Sequence, residues 1–280
     1  APVTGAGNAN YIKGDWGSER RMGGTLRNRD SLLGDIANSS PMYAIDSNTL
    51  FVGANDGMLH AFDASSGNEL FAYVPGGLDL SWLSTLSDPQ YAHKYFVDGP
   101  IVVSSTKQTP GKNVLVGALG RGGKGLFALD VTTPASFSAS NAMWELRDNG
   151  GDMGMVLGDP LIVTLNDAAK TKAAIVSNGI NSTNGHAVLF VVDLMTGTVL
   201  KKIDTGNQGA DNGLSEPRGR DLDGNGTVDV VYAGDLKGNL WKFDLSGTTS
   251  ATWTIAVGGQ PLYRTRTGQP ISAGVAVARN

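Results

Sequence analysis

The chain has 280 residues, 40% hydrophobic and 17% charged, with 22 basic and 26 acidic side chains and a formal net charge of -4. That balance disfavours a nucleic-acid binder, which needs a basic excess. There is no cysteine and there are three scattered histidines (His60, His93, His186), which excludes thiolate zinc centres and cysteine nucleophiles and argues against a histidine metal cluster.

No apolar run approaches the ~20 residues that span a bilayer, so no membrane span is expected. No signal peptide is visible at Ala1, which decides nothing, because a mature or excised chain would have lost it. Thirty-nine glycines point away from a helical protein and toward many short strands joined by turns. The expectation is all-β.

Residues 1–41, with charges at Arg20-Arg21, Arg27 and Arg29, match no repeat and read as a lead-in segment or the edge of a missing neighbour. From residue 42 a phrase recurs: an apolar strand ending in Gly or Asn-Gly, a turn, an apolar strand ending in Asp, then Ser/Thr-Gly and another strand. The first copy is Leu50-Phe51-Val52-Gly53-Ala54-Asn55-Asp56-Gly57, then 59–63, Ser66-Gly67 and 69–74. The second is 114–119, a glycine-rich turn, Leu126-Phe127-Ala128-Leu129-Asp130 and 143–146. The third runs from 174 to Asn178-Gly179, then 189–193, Thr196-Gly197 and 199–203. The fourth is 230–234, Leu240-Trp241-Lys242-Phe243-Asp244, Ser246-Gly247 and 253–257.

One more strand candidate precedes each copy, at 42–46, 97–104, 156–165 and 216–221. Four strands per repeat is the signature of a propeller blade. The marker aspartates Asp63, Asp130, Asp193 and Asp244 lie 67, 63 and 51 residues apart, against roughly 40–45 for simple propeller repeats. Insertions at 81–94, 132–142 and 204–214 supply the difference. The markers themselves read as structural, accepting backbone N–H groups in the following turn.

The expected architecture is therefore a modified β-propeller with four recognisable four-stranded blades, ending near Gly258. Residues 261–278 read as the first strand of another blade. Four blades and a fragment leave a ring open, so residues 42–280 are expected to be part of something longer. Trp144, Trp241 and Trp253 fall on strands and read as core, not as carbohydrate platforms. Asp148, Asp152 and Asp159 are too irregularly spaced for a metal site and read as a solvated loop.

The stretch that carries chemistry is Asp221-Leu222-Asp223-Gly224-Asn225-Gly226-Thr227-Val228-Asp229. Hard cations such as Ca2+ take several oxygen ligands from a flexible loop. Asp221, Asp223 and Asn225 stand at alternate positions, Thr227 offers its backbone carbonyl, and Asp229 closes the shell with a carboxylate able to bind through both oxygens. Gly226 is sixth, where an EF-hand loop turns sharply. The EF-hand comparison stops at the twelfth position, where Tyr232 replaces the expected Glu. The flanking residues look like strand, so this is a calcium loop in a β-hairpin. Magnesium fits less well, since it demands tight octahedral geometry and keeps its waters.

With the repeats and the loop in view, the chain resembles the C-terminal propeller domain of the PilY/PilC family of type IV pilus tip-associated proteins. The resemblance lies in Leu33-Gly34-Asp35-Ile36-Ala37-Asn38-Ser39-Ser40-Pro41, in 52–63, in Glu69-Leu70-Phe71-Ala72-Tyr73-Val74-Pro75, in 220–229 and in Gly238-Asn239-Leu240-Trp241-Lys242-Phe243-Asp244-Leu245. It implies a larger ring of about seven blades, within the usual propeller range. It also implies an extracytoplasmic place at the pilus tip or outer-membrane surface of a Gram-negative-type cell, and roles in pilus biogenesis, surface adhesion and twitching motility.

Its implied partners are minor pilins or pilin subunits, with host or abiotic surfaces reached through regions absent here. The implied calcium site is regulatory, occupied for pilus extension and emptied for retraction, with Asp221, Asp223, Asn225, Thr227 and Asp229 as ligands. Some members carry an Arg-Gly-Asp integrin string. The nearest string here, Lys13-Gly14-Asp15, is short enough to arise by chance.

Two other functions compete. One is a quinone-dependent propeller dehydrogenase, since Ala61-Phe62-Asp63-Ala64-Ser65-Ser66-Gly67 and Val192-Asp193-Leu194-Met195-Thr196-Gly197 look like blade motifs of those enzymes. Shared architecture does not fix function, no adjacent cysteine pair is present and no acid–base set stands out, so a non-enzyme is expected. The other is a scaffold whose calcium is purely structural.

Overall fold

The computed structural model describes residues 5–147, 150–206 and 209–278. Sixteen of the strands form four antiparallel sheets, each made from four strands in chain order. Blade one is β1 (Met42–Ala44), β2 (Thr49–Gly53), β3 (Leu59–Asp63) and β4 (Glu69–Tyr73). Blade two is β5 (Ile101–Val103), β6 (Val114–Ala118), β7 (Leu126–Asp130) and β8 (Ala142–Leu146). Blade three is β9 (Leu161–Thr164), β10 (Lys172–Ser177), β11 (Val188–Asp193) and β12 (Val199–Asp204). Blade four is β13 (Arg218–Arg220), β14 (Val230–Gly234), β15 (Asn239–Asp244) and β16 (Thr254–Ile255), joined by β17 (Tyr263–Arg264).

The first strands are shorter than the hydrophobic pattern suggests, and proline is the reason. Pro41, Pro100, Pro160 and Pro217 each stand directly before one. A proline has no N–H for the ladder, and it holds the residue before it in extended backbone. The marker aspartates act as expected. Asp63 accepts from the Ser65 and Ser66 amides (3.1 and 2.8 Å), and Asp193 from those of Met195 and Thr196 (2.9 and 2.8 Å). Asp130 and Asp244 cap their turns in the same way.

Alternation along the third strands builds the seams. Three residues before each marker stand Phe127, Phe190 and Trp241, all with at most 1% exposure. Phe127 packs toward Phe51 and Leu59 of blade one, Phe190 joins Val116 and Ala128 of blade two, and Trp241 joins Ile175 and Leu189 of blade three. The tryptophans are structural, as expected. The indole N–H groups of Trp144, Trp241 and Trp253 donate to the Leu194 carbonyl, the Asp235 carboxylate and the Gly247 carbonyl at 2.8–2.9 Å.

The fourth blade corrects two expectations. Its outer strand, expected at 253–257, breaks after Ile255, because Val257, Gly258 and Gly259 turn into positive φ. It resumes at Tyr263, which pairs with Leu240. So the beginning of the stretch expected to open a further blade completes this one. Among the described residues no strand follows Arg264. The chain lies instead beside the inner edge of blade four, with the Ile271 amide on the Asp235 carbonyl (3.0 Å) and Arg220 donating to the Val277 carbonyl.

The lead-in segment is folded onto blade one. α1 (Ala6–Ile12) contributes Tyr11, 1% exposed, to the first seam's core beside Leu26. The buried Arg29 guanidinium organises it, reaching Glu19 Oε1 (2.8 Å) and the Tyr11 and Asp15 carbonyls (2.6 and 2.7 Å). That last bond ties down the Lys13-Gly14-Asp15 string. Between the lead-in and the free face of blade one lies a cavity of about 600 Å³, lined by Ile12, Leu32, Leu33, Met58, Phe62 and Val74.

On the wall of that cavity His60 occupies the position held by Phe127, Phe190 and Trp241 in the other blades. Its Nε2 meets the Asp56 carboxylate at 3.0 Å and its Nδ1 meets Glu69 Oε1 at 2.5 Å. Burial works against the charged ring, but the hydrogen bond and charge of Asp56, then those of Glu69, outweigh it and raise the His60 pKa. A raised folded pKa gives stability that is complete below the unfolded value of about 6.5 and is lost as pH rises through the folded value. Melting temperature should therefore fall as pH climbs above about 6.5, and His60→Gln should flatten that slope. Parallel slopes for the two proteins would contradict the assignment.

Candidate metal centre

The 221–229 loop joins β13 to β14, the inner hairpin of blade four. It has two unlike halves. Asp221, Asp223, Gly224, Asn225 and Gly226 are exposed, whereas Thr227 and Asp229 are 2% and 6% exposed. The buried half is pinned on three sides. The Val228 amide donates to the Thr164 carbonyl of blade three (2.9 Å), the Asp229 amide to the Arg220 carbonyl (2.9 Å), and the Leu245 amide to the Asp229 carbonyl (2.8 Å).

The exposed half is held by its own side chains. Asp221 accepts from the Gly224 and Gly226 amides, both at 2.7 Å, and Asp223 accepts from the Asn225 amide at 3.0 Å. Gly224 and Gly226 have φ of +82° and +85°, a region that favours glycine. The Gly226 amide is the largest influence on Asp221; together with the Gly224 amide it outweighs slight desolvation and lowers the Asp221 pKa. The loop thus keeps Asp221 ionised before any ion arrives.

The three carboxylates converge. Asp221, Asp223 and Asp229 each place an oxygen within 4.8 Å of the others, and among the described residues they form the one group of His, Cys, Asp or Glu arranged to hold a metal. Also among the described residues, none of the three makes an ion pair with Lys, Arg or His. Three anionic oxygens with no internal counter-charge fit a hard dication.

The other two expected ligands, Asn225 and the Thr227 carbonyl, are adjacent, and the Asn225 oxygen is otherwise engaged. Asn225 Oδ1 accepts the Thr227 amide (2.8 Å) and the Thr227 hydroxyl. One Asp229 oxygen, Oδ2, accepts the Leu222 amide at 2.6 Å. Two-oxygen binding by Asp229 therefore requires that this oxygen be shared. Thr164 was invisible to sequence reasoning, because its contact spans 64 residues and uses only backbone atoms.

Among the described residues, the second acidic region holds no metal group. Asp148 lies outside the described residues, and Asp152 bonds Asn184 Nδ2 (2.7 Å) and Lys202 Nζ (3.0 Å). No described helix is long and apolar enough to cross a membrane.

Stacked four-stranded blades with an acidic hairpin on an inner edge define a β-propeller domain carrying a candidate cation loop. The family description that matches residues 33–275 is the PilY1 β-propeller domain, and the chain belongs to that family. It is 42% identical, over 97% of its length, to the type IV pilus biogenesis factor PilY1 homolog of Xylella fastidiosa strain Temecula1. It is 36% identical, over 90% of its length, to the type IV pilus biogenesis factor PilY1 of Pseudomonas aeruginosa strain PAK.

The chain spans 21% and 25% of the lengths of those two relatives. The crystal structure of the Pseudomonas aeruginosa PilY1 C-terminal domain matches with a TM-score of 0.64 at 36% identity, covering 79% of this chain and 47% of that one. The two relatives are named as biogenesis factors and not as enzymes.

The loop glycines give a direct check. A Cβ on Gly226 would meet open space, so the penalty for Gly226→Ala is conformational alone. Urea denaturation in chelator should show a loss of about 1 kcal/mol. No loss would mean that the loop does not hold this backbone.

Proposed function

We propose that this chain is the calcium-binding propeller domain of a type IV pilus biogenesis factor, acting outside the cytoplasm at the pilus tip or cell surface. In this reading Ca2+ sits among Asp221, Asp223, Asn225, the Thr227 carbonyl and Asp229. Its occupancy governs pilus extension against retraction, and through them surface adhesion and twitching motility. Minor pilins or pilin subunits are the partners, and adhesion to a host or abiotic surface belongs to regions outside this chain.

The observation that carries the reading is the convergence of three carboxylates within 4.8 Å on a loop that is half exposed and half fixed. An exposed, self-held half lets an ion enter and leave. A buried half anchored to two blades gives its arrival something rigid to act on. Family membership and the relatives' names supply the cellular setting.

Binding confined to the native state stabilises it by mass action, about 2.7 kcal/mol at a hundredfold excess over Kd. Asp229→Ala removes a ligand at the fixed end and should weaken calcium binding by about 100-fold or more in isothermal calorimetry. The same substitution in the full-length protein of a piliated cell should reduce surface pili and the twitching zone. Lost binding with unchanged piliation and motility would leave only a scaffold with structural calcium.

A further inference from the structure

A regulatory ion must act on an element with two arrangements, and the seam between blades three and four has the geometry for it. We propose that the loop is a clasp across this seam, with Thr164 as the positioning residue through which blade three holds the ion's carbonyl ligand. This inference rests on the calcium reading above.

The coupling runs through one peptide group. The Thr227 carbonyl, the backbone ligand, and the Val228 N–H, which donates to the Thr164 carbonyl at 2.9 Å, belong to the same planar trans unit. In a trans peptide those two bonds point in opposite directions. An ion on one side and blade three on the other therefore grip a single rigid plate. Rotating the plate to suit one partner misaligns it for the other.

Thr164 is itself well held. It ends β9 opposite Lys172, whose Nζ donates to its hydroxyl at 2.7 Å. At the other end of β9, Leu161 presses on the fourth blade. A Cβ on Gly219 would lie 2.6 Å from Leu161 Cδ2 and 3.1 Å from Val228 Cγ2. The bare glycine thus lets the two side chains close over the backbone of β13.

Beside these contacts the inner rim is loosely filled. A hollow of about 260 Å³ separates β9 from the loop, lined by Ile162, Val163, Thr164, Lys172, Asp221 and Thr227 among others. The deeper seam is packed around Trp241 and Phe243. Leu165, Val228 and Leu245 carry the same core up to the rim, where the blades are also joined by the Val228–Thr164 bond and by Asn166 Nδ2 to the Ser246 carbonyl at 2.8 Å. The hollow beside the exposed half of the loop is where local opening is easiest. Calcium draws the exposed half of the loop onto Thr227 and Asp229, fixes the shared peptide and closes the rim. By reciprocity, a firmer rim binds calcium more tightly.

The test is hydrogen exchange on the whole chain with and without calcium, alongside calorimetry on wild type, Leu161→Ala and Leu161→Ile. Calcium should slow exchange at Val228 and also in blade three, at 161–165 and 171–172, by about fivefold or more. Leu161→Ala, which touches no ligand, should weaken calcium binding by a similar factor, and Leu161→Ile should largely restore it. Protection confined to 221–230, or wild-type affinity in Leu161→Ala, would overturn the clasp while leaving the calcium site intact. Wild-type protein that binds no calcium would overturn the calcium reading and the clasp with it. If Leu161→Ala fails to fold, the wild-type exchange pattern still decides.

Discussion

The burial of apolar sheet faces between neighbouring blades is the constraint on which the rest depends. A four-stranded sheet cannot fold alone in water with two apolar faces, so blades must stack. Phe127, Phe190 and Trp241 meet that need at equivalent positions, each buried against the preceding blade. Blade one breaks the pattern. There the aromatic position is His60, bracketed by Asp56 and Glu69, and the lead-in segment covers part of its face.

The candidate ion loop draws its rigidity from the same stacking. Thr227 faces β9, Val228 is fixed because β9 ends beside it, and Asp229 is held within blade four by the backbone of Arg220, Leu222 and Leu245. Asp221 and Asp223 are exposed because they lie beyond the sheet, where only their own turns hold them. One element can then accept an ion at its surface and report it to a neighbouring blade, without any large rearrangement of the core.

What was legible in the sequence was what is local. The third strands and their marker aspartates are encoded within ten residues by alternation and an Asp–Ser/Thr–Gly turn, and they fold as read. The three converging carboxylates are eight residues apart at most, so their spacing carried the site. The missed features depend on which side chains the folded backbone brings face to face, or on backbone geometry. Val228 finds Thr164, Arg29 finds Tyr11 and Glu19, and His60 is bracketed by Asp56 in the β2–β3 turn and Glu69 on β4. The broken outer strand of blade four was hidden because Val257, a β-branched residue at φ +57°, defies its own preference. The four prolines that stand directly before first strands, Pro41, Pro100, Pro160 and Pro217, were a readable signal for where those strands begin.

A crystal structure of the chain grown with calcium tests the central claim most directly. The account predicts one ion between Asp221, Asp223 and Asp229 at oxygen distances of about 2.3–2.6 Å, with Asn225 Oδ1 turned from Thr227 toward it and the Thr227 carbonyl in the shell. Carboxylates splayed into solvent around an empty loop, with calcium plentiful in the crystal, would contradict it.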